Sequence, residues 1–270
     1  MTRSIAFGLF TCVLLGGCSS TATRSNAVDP VLAAYIPPDT VVLAAMRVDQ
    51  LRDTPLYRKL SAQKRLPNLS EFRAEDVHDV LLASDAKNVL AIGSGTFPAH
   101  SDAITLADRH TALAGPPDMV QAAIQRARSG SHSPPRDLMA RAAAVPGNSQ
   151  IWAVVADWPG LDPEMLRYMG NFGNIDRVLR SVKGATLTID LSSGAHTIFT
   201  GDCQTEADAG SLADSLRGLA SLARIAVAQK QPDLARVFDG LQVRQDGRIV
   251  TLSIDVPESL AEQLADKIGR

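Results

Sequence analysis

Apolar residues arrive along this chain in short bursts, and their spacing predicts strands more often than helices. In "PDTVVLAAMRVD" (38–49) and "PGNSQIWAVVAD" (146–157) a turn runs into consecutive apolar positions, Val41–Met46 and Ile151–Ala156. A strand with no polar face lies mid-sheet or is covered on both sides. Two further runs, 77–95 and 185–202, each break at a polar turn, Asp85-Ala86-Lys87-Asn88 and Ser192-Ser193-Gly194. In the second run Ala185, Leu187, Ile189 and Leu191 alternate with Thr186, Thr188 and Asp190. That alternation predicts a half-buried antiparallel hairpin.

A third pair of runs closes each half. "ITLADRHTALAGPPDMVQAAIQRA" (104–127) and "LQVRQDGRIVTLSIDVPESLAEQLADKI" (241–268) both read as hairpin then helix. Asp246-Gly247 is a strong hairpin turn. Pro117-Asp118 and Pro257-Glu258 suit helix starts, where proline loses no hydrogen bond and an acid meets the helix dipole. Val120 and Ile124, like Leu260 and Leu264, lie one helical turn apart. Between the hairpins of the second half a long helix is expected over 207–228. Thr205-x-x-Asp208 resembles a capping box at its start, with Leu212, Leu216, Leu219 and Ala223 along one stripe.

The expected fold is therefore α+β, with mostly antiparallel sheet and helices packed on it. The succession of elements predicts a tandem duplication of a β-α-β-β-(α)-β-β-α unit, residues 31–145 and 146–270.

The first residues belong to neither copy. One positive charge, Arg3, precedes an apolar stretch from Ile5 to Leu15, too short for the roughly 20 residues a membrane-crossing helix needs. The pattern is that of a secretory signal peptide, residues 1–17. Its ending, Leu15-Gly16-Gly17-Cys18, resembles the lipobox of bacterial lipoproteins. That resemblance implies acylation of Cys18 and cleavage just before it. Residues 18–30 then form the lipidated cysteine and a polar tether. Ser19, rather than an aspartate, implies by the same resemblance the periplasmic face of the outer membrane.

Composition narrows the function classes. The formal net charge is −2, and the basic footprint that nucleic acid requires is missing. With Cys12 removed and Cys18 acylated, Cys203 is the remaining thiol, so no intramolecular disulfide is expected. The pattern from "YIPPDTVVLAAMRVDQLRDTPLYRKL" to "LQVRQDGRIVTLSIDVPESL" resembles uncharacterised secreted or lipid-anchored bacterial proteins. The resemblance implies a compartment and a fold and brings no activity.

No chemistry-bearing motif emerges. His78, His100, His110, His132 and His196 form no close-set metal pair, and no metal or cofactor is expected. Gly93-Ser94-Gly95 is not a nucleophile elbow. His196 and Cys203 are seven apart on one strand, which sets them on opposite faces. Glu75, Asp76 and Asp79 open a strand and read as a solvated face. No catalytic residue is assigned. One segment, 158–174, gathers Trp158, Met165, Tyr168, Met169 and Phe172 in a chain with 4% aromatics. It is the candidate partner-binding patch. The expectation is a non-catalytic binding or scaffolding module, anchored in the cell envelope by its lipid and meeting a protein partner. The alternatives are a periplasmic hydrolase built from distant residues and a carrier of a small apolar ligand between the two halves.

Overall fold

The computed structural model describes residues 28–62, 76–97, 104–131, 133–156, 180–228 and 235–268. The signal peptide, Cys18 and the aromatic patch at 158–172 lie outside the described residues. Ten strands form one sheet in the order β4-β5-β3-β2-β1-β6-β7-β8-β10-β9. They are β1 (Val42–Arg47), β2 (Val77–Ser84), β3 (Val89–Gly95), β4 (Thr105–Leu106), β5 (Thr111–Ala114), β6 (Ile151–Ala156), β7 (Val182–Asp190), β8 (Gly194–Cys203), β9 (Leu241–Asp246) and β10 (Ile249–Pro257). Every pairing is antiparallel. The protein is α+β.

The two runs with no polar face, β1 and β6, sit at the centre and pair with each other, Leu43 opposite Val154 and Ala45 opposite Trp152. The two expected repeats thus share a single sheet. Outward from this pair the order is β2, β3, β5, β4 on one side and β7, β8, β10, β9 on the other. The strand succession of 31–145 therefore recurs in 146–270.

The helices do not follow. Leu43, Leu81, Ala83, Leu90, Ile92 and Leu113 lie on one face of the sheet, here the first face. They pack with helices α1 (Pro30–Ala33), α4 (Pro117–Ser129) and α5 (Arg136–Ala143) in the largest core cluster. Helices α2 (Val48–Arg52) and α3 (Pro55–Ala62) link β1 to the segment preceding β2. In the second half Cys203 and Val250 lie on the opposite face, under α6 (Glu206–Ala228). The last helix, α7 (Glu258–Ile268), covers Val256 and Ile254 on that same second face. A two-fold axis normal to the sheet preserves faces, so it would superpose the strands and leave α4 and α7 on opposite sides. What recurs is strand order, not helix placement. Sequence registers agree: aligning Pro38 with Pro146 sets Leu43, on the first face, against Ile151, whose partner Met46 is on the second.

Local signals form as their chemistry dictates. Thr205 and Asp208 cap α6 reciprocally: the Asp208 N–H donates to Thr205 Oγ1 at 3.1 Å, and the Thr205 N–H to Asp208 Oδ2 at 3.2 Å. Gly247 turns the β9–β10 hairpin at φ +53°, a region where a glycine carries no steric cost. Along the predicted stripe on α6 Leu212 is buried and Leu216, Leu219 and Ala223 are half-buried, whereas Leu222 and Ile225, off the stripe, are more than 60% exposed.

Candidate functional site

Alternation on three adjacent strands builds the most chemically distinctive cavity. On β1, Ala45 and Arg47 share the face of Leu43; on β2, Asp79 shares the face of Leu81; on β6, Trp152 shares the face of Val154. These positions are neighbours in register: Ala45 is opposite both Leu81 and Trp152, and Arg47 is opposite Asp79. With Leu32 of α1 they line an open pocket of about 360 Å³. That is at the small end of ligand pockets, which run about 300–1,000 Å³. Because β6 contributes Trp152, the cavity spans the junction of the two halves.

Its polar groups are unusually placed. Arg47 and Asp79 face one another across the strands, where opposite charges ordinarily close into a pair. Here they do not. Arg47 Nη1 donates instead to the Gly147 carbonyl at 2.9 Å. The Asp79 carboxylate accepts no hydrogen bond among the described residues. A β-bulge at His78 precedes it, and His78 Nδ1 turns to Asp49 Oδ2 at 3.0 Å, so Asp49 is engaged while Asp79 is not. Burial holds the Arg47 guanidinium below its ordinary value, with Asp79 opposing. Burial, then the charge of Asp49, pushes the Asp79 carboxyl up, with Arg47 pulling it down. Trp152 is 2% exposed, and its indole Nε1–H is buried without an acceptor. A buried donor left without a partner costs about 1–3 kcal/mol. The cavity thus offers a cation and an anion above an apolar floor.

Asp79 corrects the sequence expectation that the acids at 75–79 form a solvated face. Its parity with Leu81 turns it toward the core side of the sheet. Arg47 and Trp152 were not singled out from sequence at all.

A second arrangement lies at the β7–β8 turn. His196 Nδ1 is 2.7 Å from Asp255 Oδ1, and His196 Nε2 is 3.3 Å from Ser193 Oγ. The order Ser–His–Asp is that of a nucleophile, base and orienting acid. The His196 side chain is 40% exposed and that of Asp255 59%, so water competes for each bond, and Ser193 is exposed as well. Such a site lacks the water-excluded surround in which preorganised electrostatics gain their strength. Cys203 stands on the other face from His196, fully buried, and burial pushes its thiol up, away from the thiolate a nucleophile needs.

A scan of protein-family models matches none, and no curated protein matches the chain. Among solved structures the chain is similar to TP0453. Against crystal form I the TM-score is 0.47 at 12% identity, over 90% of this chain and 97% of that one. Against crystal form III the TM-score is 0.45 at 12% identity, over 90% and 98%. Overlaps of this size carry no functional argument.

Proposed function

We propose that this protein is a lipid-anchored cell-envelope binding module, held at the periplasmic face of the outer membrane through Cys18, with its ligand site in the cavity between β1, β2 and β6. The anchor reading is supported by Leu15-Gly16-Gly17-Cys18 and the polar tether that follows. Among the described residues no helix is long and apolar enough to cross a membrane, so attachment in this reading rests on the acyl chains, each buried CH₂ contributing about 0.8 kcal/mol. The observation that carries the binding reading is the charged pair in the pocket wall: Arg47 and Asp79 are opposite in register yet stay apart, with Arg47 turned to Gly147. Both are half-buried, which disfavours their charged forms, and a ligand bringing the opposite charge to each would offset that.

The test is native mass spectrometry of the acylated protein, gently extracted from its own membrane. The reading expects acyl mass on Cys18 and a bound small molecule that is lost when Ala45→Leu fills the cavity floor. A stoichiometric protein companion, with the small molecule absent, would replace the cavity reading by a scaffolding one. An unacylated Cys18 would overturn the anchor.

A hydrolase is the second reading, favoured by the Ser193–His196–Asp255 line. It expects a fluorophosphonate probe to label Ser193 and the label to vanish in His196→Ala; an unlabelled serine removes it.

A further inference from the structure

We infer that the cavity takes a small zwitterion with an apolar side chain, an α-amino acid of the leucine class, its carboxylate on Arg47, its ammonium on Asp79 and its side chain over Leu32, Leu81 and Trp152. The inference rests on the reading of this cavity as the ligand site and names what it recognises.

Three observations point to this class. The first is the Arg47–Asp79 pair. Directly opposed residues on antiparallel strands have β-carbons roughly 4.5–5.5 Å apart, close enough for an ion pair to form by rotamer change alone. The side chains stay apart, with Arg47 turned to Gly147. A cation and an anion held apart in one wall present opposite charges to whatever occupies the pocket, as the ends of a zwitterion require. The burial that shifts each group disfavours its charged form, and a counter-ion on each would relieve both.

The second is the sign of the surroundings. Asp49 and Asp29 raise the Asp79 carboxyl while Arg47 and His78 lower it, so Asp79 sits among charges of both signs. A bare carboxylate ligand would meet Asp79 beside Arg47, and a bare ammonium would meet Arg47 beside Asp79. A zwitterion directs its positive end to the acids and its negative end to Arg47, whose planar fork suits a carboxylate.

The third is the floor. Leu32, Leu81, Ala45 and the indole are apolar and leave room for a short aliphatic or aromatic side chain. A cavity of about 360 Å³ is in scale with such a ligand.

The experiment is calorimetric titration of the acylated, detergent-held protein with L-leucine, 4-methylpentanoate and 3-methylbutylamine, which share one apolar part and differ in charge. The inference expects leucine to bind at least tenfold tighter than either fragment. Asp79→Asn should remove the preference over the acid, and Arg47→Gln the preference over the amine, with circular dichroism showing both variants folded. The three-ligand series on the unaltered protein decides the matter even if a variant fails to fold. If the acid or the amine binds as tightly as leucine, the zwitterion inference falls and the binding reading stands. If none of the three binds but the native spectrum shows an Ala45→Leu-sensitive ligand, the inference falls in the same way. If none binds and no such ligand exists, both fall.

Discussion

The guanidinium of Arg141, on α5, occupies the space that a β-carbon at Gly184 would take, and from there its Nη2 lies 3.5 Å from Asp202 Oδ2. A helix of the first half thereby reaches the first face of the second half, where no helix of that half packs among the described residues. Gly184→Ala would drive the guanidinium off and break the pair. Overpacking of this kind costs about 1–3 kcal/mol. Arg141→Ala removes the clash but leaves the half-buried Asp202 uncompensated, its Oδ1 already without a partner. In urea unfolding, the double variant should therefore be less destabilised than the sum of the singles by at least about 0.5 kcal/mol. Strict additivity would show that Arg141 does not sit over Gly184.

The His196–Asp255 contact makes stability pH-dependent in a defined direction. The hydrogen bond from His196 to Asp255, with further help from the charges of Asp255 and Asp190, raises the imidazole above its ordinary 6.5, against a smaller effect of burial. A group whose folded value is raised contributes stability that is fully present below its unfolded value and lost as pH rises through the folded one. Stability referred to Asp255→Asn should thus hold below about pH 6.5 and fall as pH rises from there through the raised folded value. The His196 ring resonances should titrate above the unfolded value, and Asp255→Asn should bring them down. An unchanged midpoint in that variant would remove Asp255 as the cause.

The cap of α6 gives a local test. Thr205 Oγ1 accepts from the Asp208 N–H, and no side chain of the core under α6 depends on it directly. Thr205→Ala should cost about 1 kcal/mol, and Thr205→Ser should recover most of it. Equal losses in both variants would place the effect in the methyl group rather than the cap. Chemical denaturation followed by far-ultraviolet circular dichroism reads either result.

How much of this was legible depends on whether a feature needs one strand or three. The central place of β1 and β6 follows from runs with no polar face, and the α6 cap follows from four residues in sequence. The face of Asp79 was also legible, since it shares parity with Leu81 and Ala83; treating Glu75, Asp76 and Asp79 as one charged group hid it. What could not be read is that Arg47, Asp79 and Trp152 converge. Their meeting depends on the β2–β1–β6 register, which no local pattern encodes. The Ser193–His196–Asp255 line is of the same kind, because it needs His196 opposite Asp255 across β8 and β10. The recurrence of strand order was legible from the spacing of hairpins. The crossing of helices to opposite faces was not, because amphipathic stripes on α4 and α7 say that each is covered, not by which side of the sheet.

The contrast between Leu43 and Leu222 tests where the core ends. Leu43 is fully buried at the centre of the sheet, with Ala83 and Val154 as its strand partners on β2 and β6. Leu43→Ala removes several buried methyl groups at a site walled on both sides by strands, which cannot collapse to fill the space. The cost should be about 2–5 kcal/mol, read as a fall in the urea midpoint at constant slope. Leu222 lies on α6 beyond Leu212 and Leu216, at 63% exposure. Leu222→Ser gives up little buried area and should change stability by no more than about 0.5 kcal/mol. A core-sized loss at Leu222 in the isolated protein would mean that this side of α6 is covered after all. A core-sized loss at Leu43 alone would place the stability of the fold in the strands that join its halves.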